Sequence, residues 1–143
     1  MDKKVYFAAP LFNAAEKGFN LKLTEMLENA GYSVFLPQRD GNEAALMTDM
    51  TEGEKSAAIF CADKDALMDA DILFMVIDGR VPDEGACVEL GMAYASGKRC
   101  YGIRTDVRCA EHGLDINPML TGCLIEVFRS EEDLAKHLAC GEL

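Results

Sequence analysis

Short apolar runs alternate with longer amphipathic stretches along this chain. Val5-Tyr6-Phe7-Ala8-Ala9 is apolar and stops at Pro10, which predicts a buried first strand. Residues 13–30 read as a helix, with Leu21, Met26 and Leu27 among its apolar positions. Asn13 is placed to cap it, Glu16 to complete a capping box, and Gly31 to stop it. Residues 33–36 predict a second strand closed by Pro37, followed by a polar loop over 38–42. Residues 43–69 predict mostly helix with a break near Gly53. Residues 72–77 are apolar throughout, as in a central strand covered on both faces. Asp78-Gly79 reads as a turn, residues 83–97 as a helix, and 100–103 as a fourth strand. A polar excursion over 104–118 precedes a fifth strand at 124–128. Ser130, with Asp133 three residues on, starts a last helix.

Strands and helices in strict alternation predict an α/β fold: a flavodoxin-like or Rossmann-like doubly wound sheet of about five parallel strands, with helices on both faces. Right-handed crossovers would gather the loops that follow the strands along one edge. The 143 residues are enough for one domain spanning 1–143, and no repeat, linker or low-complexity tract divides it.

One residue breaks the hydrophobic pattern. In the helix predicted over 83–97, the inward stripe is Ala86, Glu89, Leu90, Ala93 and Gly97. A carboxylate there points into the interior, at the edge where open α/β sheets hold ligands. Burying it without a partner or a task is costly. The nearby helix N-terminus is expected to favour its ionised form. Gly85 and Ala86 would let a ligand approach the helix closely.

Composition narrows the function. A formal net charge of −11 argues against nucleic-acid or anionic-membrane binding. It suits a small neutral or weakly basic ligand, or simply keeps the chain in solution. No stretch reads as a membrane span, and residues 1–5 run into a strand without a signal-peptide pattern, so the cytoplasm is the expected location. The six cysteines form no C-x-x-C and the two histidines stand apart, so no metal site is expected and the thiols read as reduced. Neither a G-x-G-x-x-G nor a Walker sequence is present, which removes a dinucleotide fingerprint and a triphosphate cradle. The loop edge instead offers carboxylates, amides and small residues. Paired carboxylates in one cleft suit glycosidic chemistry, with one attacking the anomeric carbon and the other moving protons.

Four segments in order carry a resemblance over about residues 4 to 128. They are Tyr6-Phe7-Ala8-Ala9-Pro10-Leu11-Phe12, Ala70-Asp71 entering the central strand, Asp83-Glu84-Gly85-x-x-x-Glu89-Leu90-Gly91-x-Ala93, and Asn117-Pro118-Met119-Leu120. Together they resemble the nucleoside 2-deoxyribosyltransferase family. The resemblance implies transfer of 2-deoxyribose between bases by double displacement, without cofactor or metal. Glu89 matches the nucleophile, Asp63 the acid that protonates the leaving base, and Tyr6 a hydroxyl that steadies the nucleophile. Asp83 matches a carboxylate contacting the base or orienting the site. Asn117 matches an amide reaching the sugar from a neighbouring subunit. Gln38 falls in the family's base-contacting loop, and Phe12, Gly85 and Met119 complete the substrate-binding set.

The partners so implied are deoxynucleosides, free nucleobases and further copies of the chain, as a homodimer or higher homo-oligomer with shared sites. The family often places a terminal carboxylate in the adjacent site, but this chain ends Gly141-Glu142-Leu143 rather than on an aromatic residue.

Each assignment has a plainer rival. Glu89 is alternatively a structural buried acid, Asp83 a helix cap, Asn117 a turn residue before Pro118, and Tyr6 a core residue. Asp63, with Asp65 and Asp69, is alternatively part of a solvated acidic face. At the level of function, an N-glycosidase acting on deoxynucleosides or nucleoside 5′-monophosphates shares the covalent step. Related monophosphate N-glycosidases carry serine near position 83, and Asp83 would repel a phosphate, although Arg39 and Arg80 leave that substrate open. A non-enzymatic flavodoxin-like module with an acidic edge is the third reading. A receiver-like version of it would need Asp78 and Lys98 together, a poor fit.

Overall fold

The computed structural model describes residues 2–41, 46–108 and 113–143. Its elements run β1 (Lys4–Ala8), α1 (Ala14–Asn29), β2 (Ser33–Phe35), α2 (Pro37–Asp40), α3 (Glu52–Asp69), β3 (Ile72–Val76), α4 (Glu84–Ala95), β4 (Arg99–Ile103), α5 (Pro118–Thr121), β5 (Glu126–Phe128) and α6 (Glu131–Cys140). The five strands form one parallel sheet in the order β2-β1-β3-β4-β5. The expected doubly wound α/β fold is therefore present.

Pleating divides the core into two layers. Val5, Phe7, Ile72, Phe74 and Val76 face one side, where Leu23 and Leu27 of α1 and Leu134 of α6 cover them. Tyr6, Ala8, Leu73 and Met75 face the other, beneath Leu67 of α3 and Ala86, Leu90 and Ala93 of α4. Strand order reverses between β1 and β3, so the chain leaves these two neighbours toward opposite sides. A crevice opens there, at the C-terminal edge of the strands.

The expected caps at Asn13 and Ser130 form, but the Glu16 carboxylate accepts from the Asn13 side-chain amide at 2.5 Å and not from its backbone N–H, so the expected capping box is not made. The Glu16 amide donates to Asn13 Oδ1 at 2.9 Å, and the Asp133 amide donates to Ser130 Oγ at 3.1 Å. Gly31 follows the first helix with φ +94°, a left-handed conformation that favours glycine.

Four further expectations need correction. The third helix begins only at Glu52, because Thr51 and Glu54 make a reciprocal capping box there. Residues 46–50 form turns and bends, and 43–45 lie outside the described residues. Gly53 sits in that first turn and causes no break. The polar loop over 38–42 begins instead as α2, with Pro37 at its first position and Asp40 accepting from the Leu36 amide at 2.9 Å. Finally, Gly97 does not belong to the inward stripe of α4. The helix ends at Ala95, and Gly97 is exposed with φ +75°.

Candidate active site

Glu89 lies in the second turn of α4, on the side that carries buried Ala86, Leu90 and Ala93. The fully buried Tyr6, in the middle of β1, donates its hydroxyl to Glu89 Oε1 at 2.8 Å. The Tyr6 ring is held against Phe35 of β2, with centroids 5.6 Å apart and planes 14° from parallel. Burial pushes the Glu89 carboxyl up to about 7, against the Tyr6 hydrogen bond, which favours the ionised form. Asp63 and Asp83 add to the rise as like charges. The expected help from the helix N-terminus is therefore overruled. Glu89 lies beyond the first turn, where the helix dipole fades, and desolvation dominates. Tyr6 is itself held protonated, first by burial and then by the charges of Glu89 and Asp63.

Asp63 projects from α3 and is half-buried. Burial raises its pKa. It differs from its acidic neighbours on the same helix. Asp65 pairs with Lys64 at 3.2 Å and Asp69 with Lys4 at 2.7 Å, both at the surface. Asp63 instead acts electrostatically on Tyr6 and Glu89. It is distinct from the solvated acidic face proposed as its rival.

Asp83 does cap α4, as its plainer reading holds, accepting from the Ala86 amide through Oδ2 at 2.9 Å. It also acts on Glu89 as a like charge, so the cap sits beside the candidate nucleophile. Gly85 serves that cap directly. A Cβ at position 85 would lie 3.2 Å from Asp83 Oδ2.

A cleft of about 680 Å³ opens at the reversal point between β1 and β3. Phe12, Glu16, Asn20, Asp78, Asp83 and Arg108 are among its lining residues. Phe12 stands at it with 75% of its surface exposed. Neither Glu89, Tyr6 nor Asp63 lines this space, and Asp83 is what the cleft and the Glu89 cluster share. Asp78 stitches one wall together. It accepts from the Thr105 and Asp106 amides at 2.6 and 2.9 Å, and from the Thr105 hydroxyl.

The remaining sequence candidates lie elsewhere. Gln38 has both ends of its amide engaged: it donates to the Lys17 carbonyl at 3.0 Å and accepts from Asn20 at 2.9 Å. Its visible work is to hold α2 on α1, not to contact Glu89. Asn117 caps α5 through a 2.9 Å bond from the Met119 amide, and both residues are exposed, Met119 by 78%. Leu143 packs into the core of its own chain, with its amide donating to the Tyr32 hydroxyl at 2.7 Å. Lys98 precedes β4 and donates to the Met68 carbonyl at 2.8 Å, at the edge opposite Asp78, so a receiver-like pairing does not occur.

Sequence reasoning missed Asn20. It is 1% exposed on α1 and donates to the Pro10 carbonyl at 2.8 Å and to Gln38, while its Oδ1 has no partner. The signal was available. Asn20, Leu23, Thr24 and Leu27 form the buried stripe of α1, so Asn20 breaks its pattern as Glu89 breaks that of α4. Among the described residues, no three acidic, histidine or cysteine side chains are grouped to hold a metal ion. None of the described helices is long and apolar enough to cross a membrane.

The class the fold defines is an open, doubly wound α/β sheet, here with a hydroxyl-bonded, partly desolvated carboxylate on a helix that packs against it. The family follows from the sequence: residues 5–134 match the model of the nucleoside 2-deoxyribosyltransferases, and the chain belongs to that family. Solved structures agree. A conserved protein from Enterococcus faecalis V583 is 26% identical, with a TM-score of 0.80 over 97% of this chain and 98% of its own. A 2-deoxyribosyltransferase from Bacillus psychrosaccharolyticus is 27% identical, with a TM-score of 0.76 over 94% and 91%. A CMP N-glycosidase from Clostridium botulinum shares the fold, at 20% identity and a TM-score of 0.59 over 96% and 99%. No curated protein matches the chain.

Proposed function

We propose that this protein, acting as a single domain, transfers 2-deoxyribose from one nucleobase to another. Ionised Glu89 attacks the anomeric carbon, and the bond to the base breaks. Asp63, whose pKa is raised by burial, delivers a proton to the departing base. The covalent deoxyribosyl-Glu89 ester is then attacked by a second base, which returns its proton to Asp63. Two inversions give net retention. Tyr6 orients the attacking carboxylate and stabilises its charge. Asp83 contacts the base or orients the site, with Phe12 and Gly85 toward the bound nucleoside.

The observation that carries this reading is the Tyr6–Glu89 hydrogen bond at 2.8 Å, within the field of a partly buried Asp63. A purely structural acid would be expected to gain a cation or several amide donors at such a position. Glu89 instead has a hydroxyl and two neighbouring carboxylates.

Assembly into a homodimer or larger oligomer with shared sites is supported by the exposure of Asn117 and Met119. Val88 and Tyr94 of α4, together with Ile125, add further exposed apolar surface. The five described cysteines are free, which suits the reducing cytoplasm.

The test is exchange itself. Deoxythymidine with free adenine should yield deoxyadenosine, and the intact protein should gain the mass of one deoxyribosyl group when given donor alone. No exchange across several base pairs, with no adduct, would refute the proposal. Release of free deoxyribose without dependence on an acceptor base would reassign the protein as an N-glycosidase using the same covalent step.

A further inference from the structure

The buried stripe of α1 carries two polar residues beside its leucines, Asn20 and Thr24, both 1% exposed. They are one helical turn apart and share one face. Thr24 Oγ1 has no partner. Asn20 differs. Its side-chain nitrogen donates to the Pro10 carbonyl at 2.8 Å and to Gln38 Oε1 at 2.9 Å. Leucine would fill this stripe without leaving an orphaned Oδ1, so the asparagine carries a cost that only its two donated bonds offset.

The direction of these bonds is fixed. Backbone carbonyls only accept, so Asn20 turns its nitrogen to Pro10, and Gln38 turns its nitrogen to the Lys17 carbonyl at 3.0 Å. The oxygen of Gln38 is then left to face the second Asn20 hydrogen. A run of amides thus joins α2 and α1 to the loop between β1 and α1. Among the described residues, no other hydrogen bond holds Pro10, Leu11 or Phe12. Pro10 and Phe12 line the cleft, where Phe12 is 75% exposed. An exposed ring on a loop with so few bonds stays in place only as well as that loop is held.

We propose that Asn20 is a positioning residue for nucleoside binding: braced by Gln38, it holds the Pro10 carbonyl and so fixes Phe12 at the cleft before a ligand arrives. Almost wholly buried, Asn20 touches no substrate itself. It acts through the loop, by ordering it in advance and sparing that entropic cost on binding. The proposed exchange reaction, in which Phe12 faces the bound nucleoside, underlies this role. Glu89 lies outside the run of amides, so binding should depend on Asn20 and the covalent step should not.

Steady-state exchange of deoxythymidine with adenine separates KM from kcat. Asn20→Leu should raise the KM for deoxythymidine roughly threefold to tenfold, the scale of one lost hydrogen bond, and leave kcat unchanged. The rise of kcat/KM with pH through about 7 should stay where it is. Thr24→Val, which removes a buried hydroxyl from the same stripe, should keep the wild-type KM. In a Phe12→Ala background Asn20→Leu should add nothing to KM, since the ring it positions is gone. Gln38→Leu cuts the same run of amides from its half-buried end, and should act in the same direction even where Asn20→Leu does not fold. A lower melting temperature with wild-type KM in these variants would make Asn20 a structural residue only, overturning its positioning role and leaving transfer standing. An equal KM rise in Thr24→Val, an effect undiminished without the Phe12 ring, or a loss confined to kcat would do the same. Failure of the wild-type protein to exchange any deoxynucleoside would overturn both.

Discussion

The two edges of the sheet treat charge in opposite ways. At the N-terminal edge every lysine near the strands has an oxygen partner. Lys3 pairs with Glu142 at 2.6 Å and Lys4 with Asp69 at 2.7 Å, while Lys98 bonds a backbone carbonyl. Asp71 accepts from the Lys4 amide at 2.9 Å. At the C-terminal edge, Glu89 is drawn out of water among acidic neighbours, and burial first, then their like charge, raises its pKa. Solvated opposite charges at one end cost little and contribute little. Like charges drawn together out of water at the other end are held against their electrostatic preference. The difference separates charge that tidies a surface from charge in the perturbed setting that the proposed chemistry uses.

The most severe way to break this contrast is at Glu89. Glu89→Ala should remove exchange activity and the deoxyribosyl adduct altogether, and wild-type turnover in that variant would sink the mechanism. Asp63→Asn comes next. Losing the proton donor should cost about 10²–10⁴ in turnover. The loss should be smaller for donors whose base leaves easily, which steady-state rates across several nucleosides would show.

The pH dependence sharpens the comparison further. Attack needs the ionised acid, so kcat/KM should rise with pH through about 7. Tyr6→Phe removes the hydrogen bond that favours ionisation. It should move that rise to higher pH while leaving the fold intact, and an unmoved profile would mean that the hydroxyl does not govern Glu89.

The same carboxyl should make the fold less stable as it ionises. Its folded pKa lies above the ordinary glutamate value of 4.5, so the folded chain holds more protons than the unfolded one between about 4.5 and 7. Stability should therefore fall as pH rises through that window and level off above it. The cost of the ionised form is of order 3 kcal/mol at most. Glu89→Gln keeps the acceptor for Tyr6 and removes the charge. It should raise the melting temperature at pH 8 by several degrees and do nothing at pH 4. The smallest effect belongs to the other edge. Lys4→Met should leave the melting temperature nearly unchanged, because its ion pair is solvated.

The proposed sharing of sites between subunits adds a test that no single chain can mimic. Mixing inactive Glu89→Ala with Asn117→Ala should restore part of the activity, as one intact site forms per mixed pair. Activity that stays absent after subunit exchange would place Asn117 in its own chain's site or in none.

Much of this was legible along the chain. The apolar runs at 5–9 and 72–77 mark two of the three inner strands, because a strand covered on both faces admits few polar side chains. Helix starts at Asn13 and Ser130 were readable because their bonds are local. Glu89 was visible as a polar break in a helical stripe. Asn20 is the same kind of break, and it escaped because no motif drew attention to α1. The start of α3 at Glu52 was obscured by an acidic, Gly-containing stretch, and Thr51 settles it through its capping box.

The order of residues by itself determined the alternation of elements, and therefore the parallel sheet and the edge on which its loops collect. Helical period and cap chemistry act over a few residues and can be read there. Only the tertiary structure decided the state of Glu89. Its ionisation depends on how much water Tyr6, Asp63 and the core displace around it, and those groups lie on separate elements. The same holds for the separation of Asp63 from Asp65 and Asp69, and for the engagement of Gln38 with α1. Electrostatics and solvation act through space, so they become definite only when β1, α3 and α4 have met.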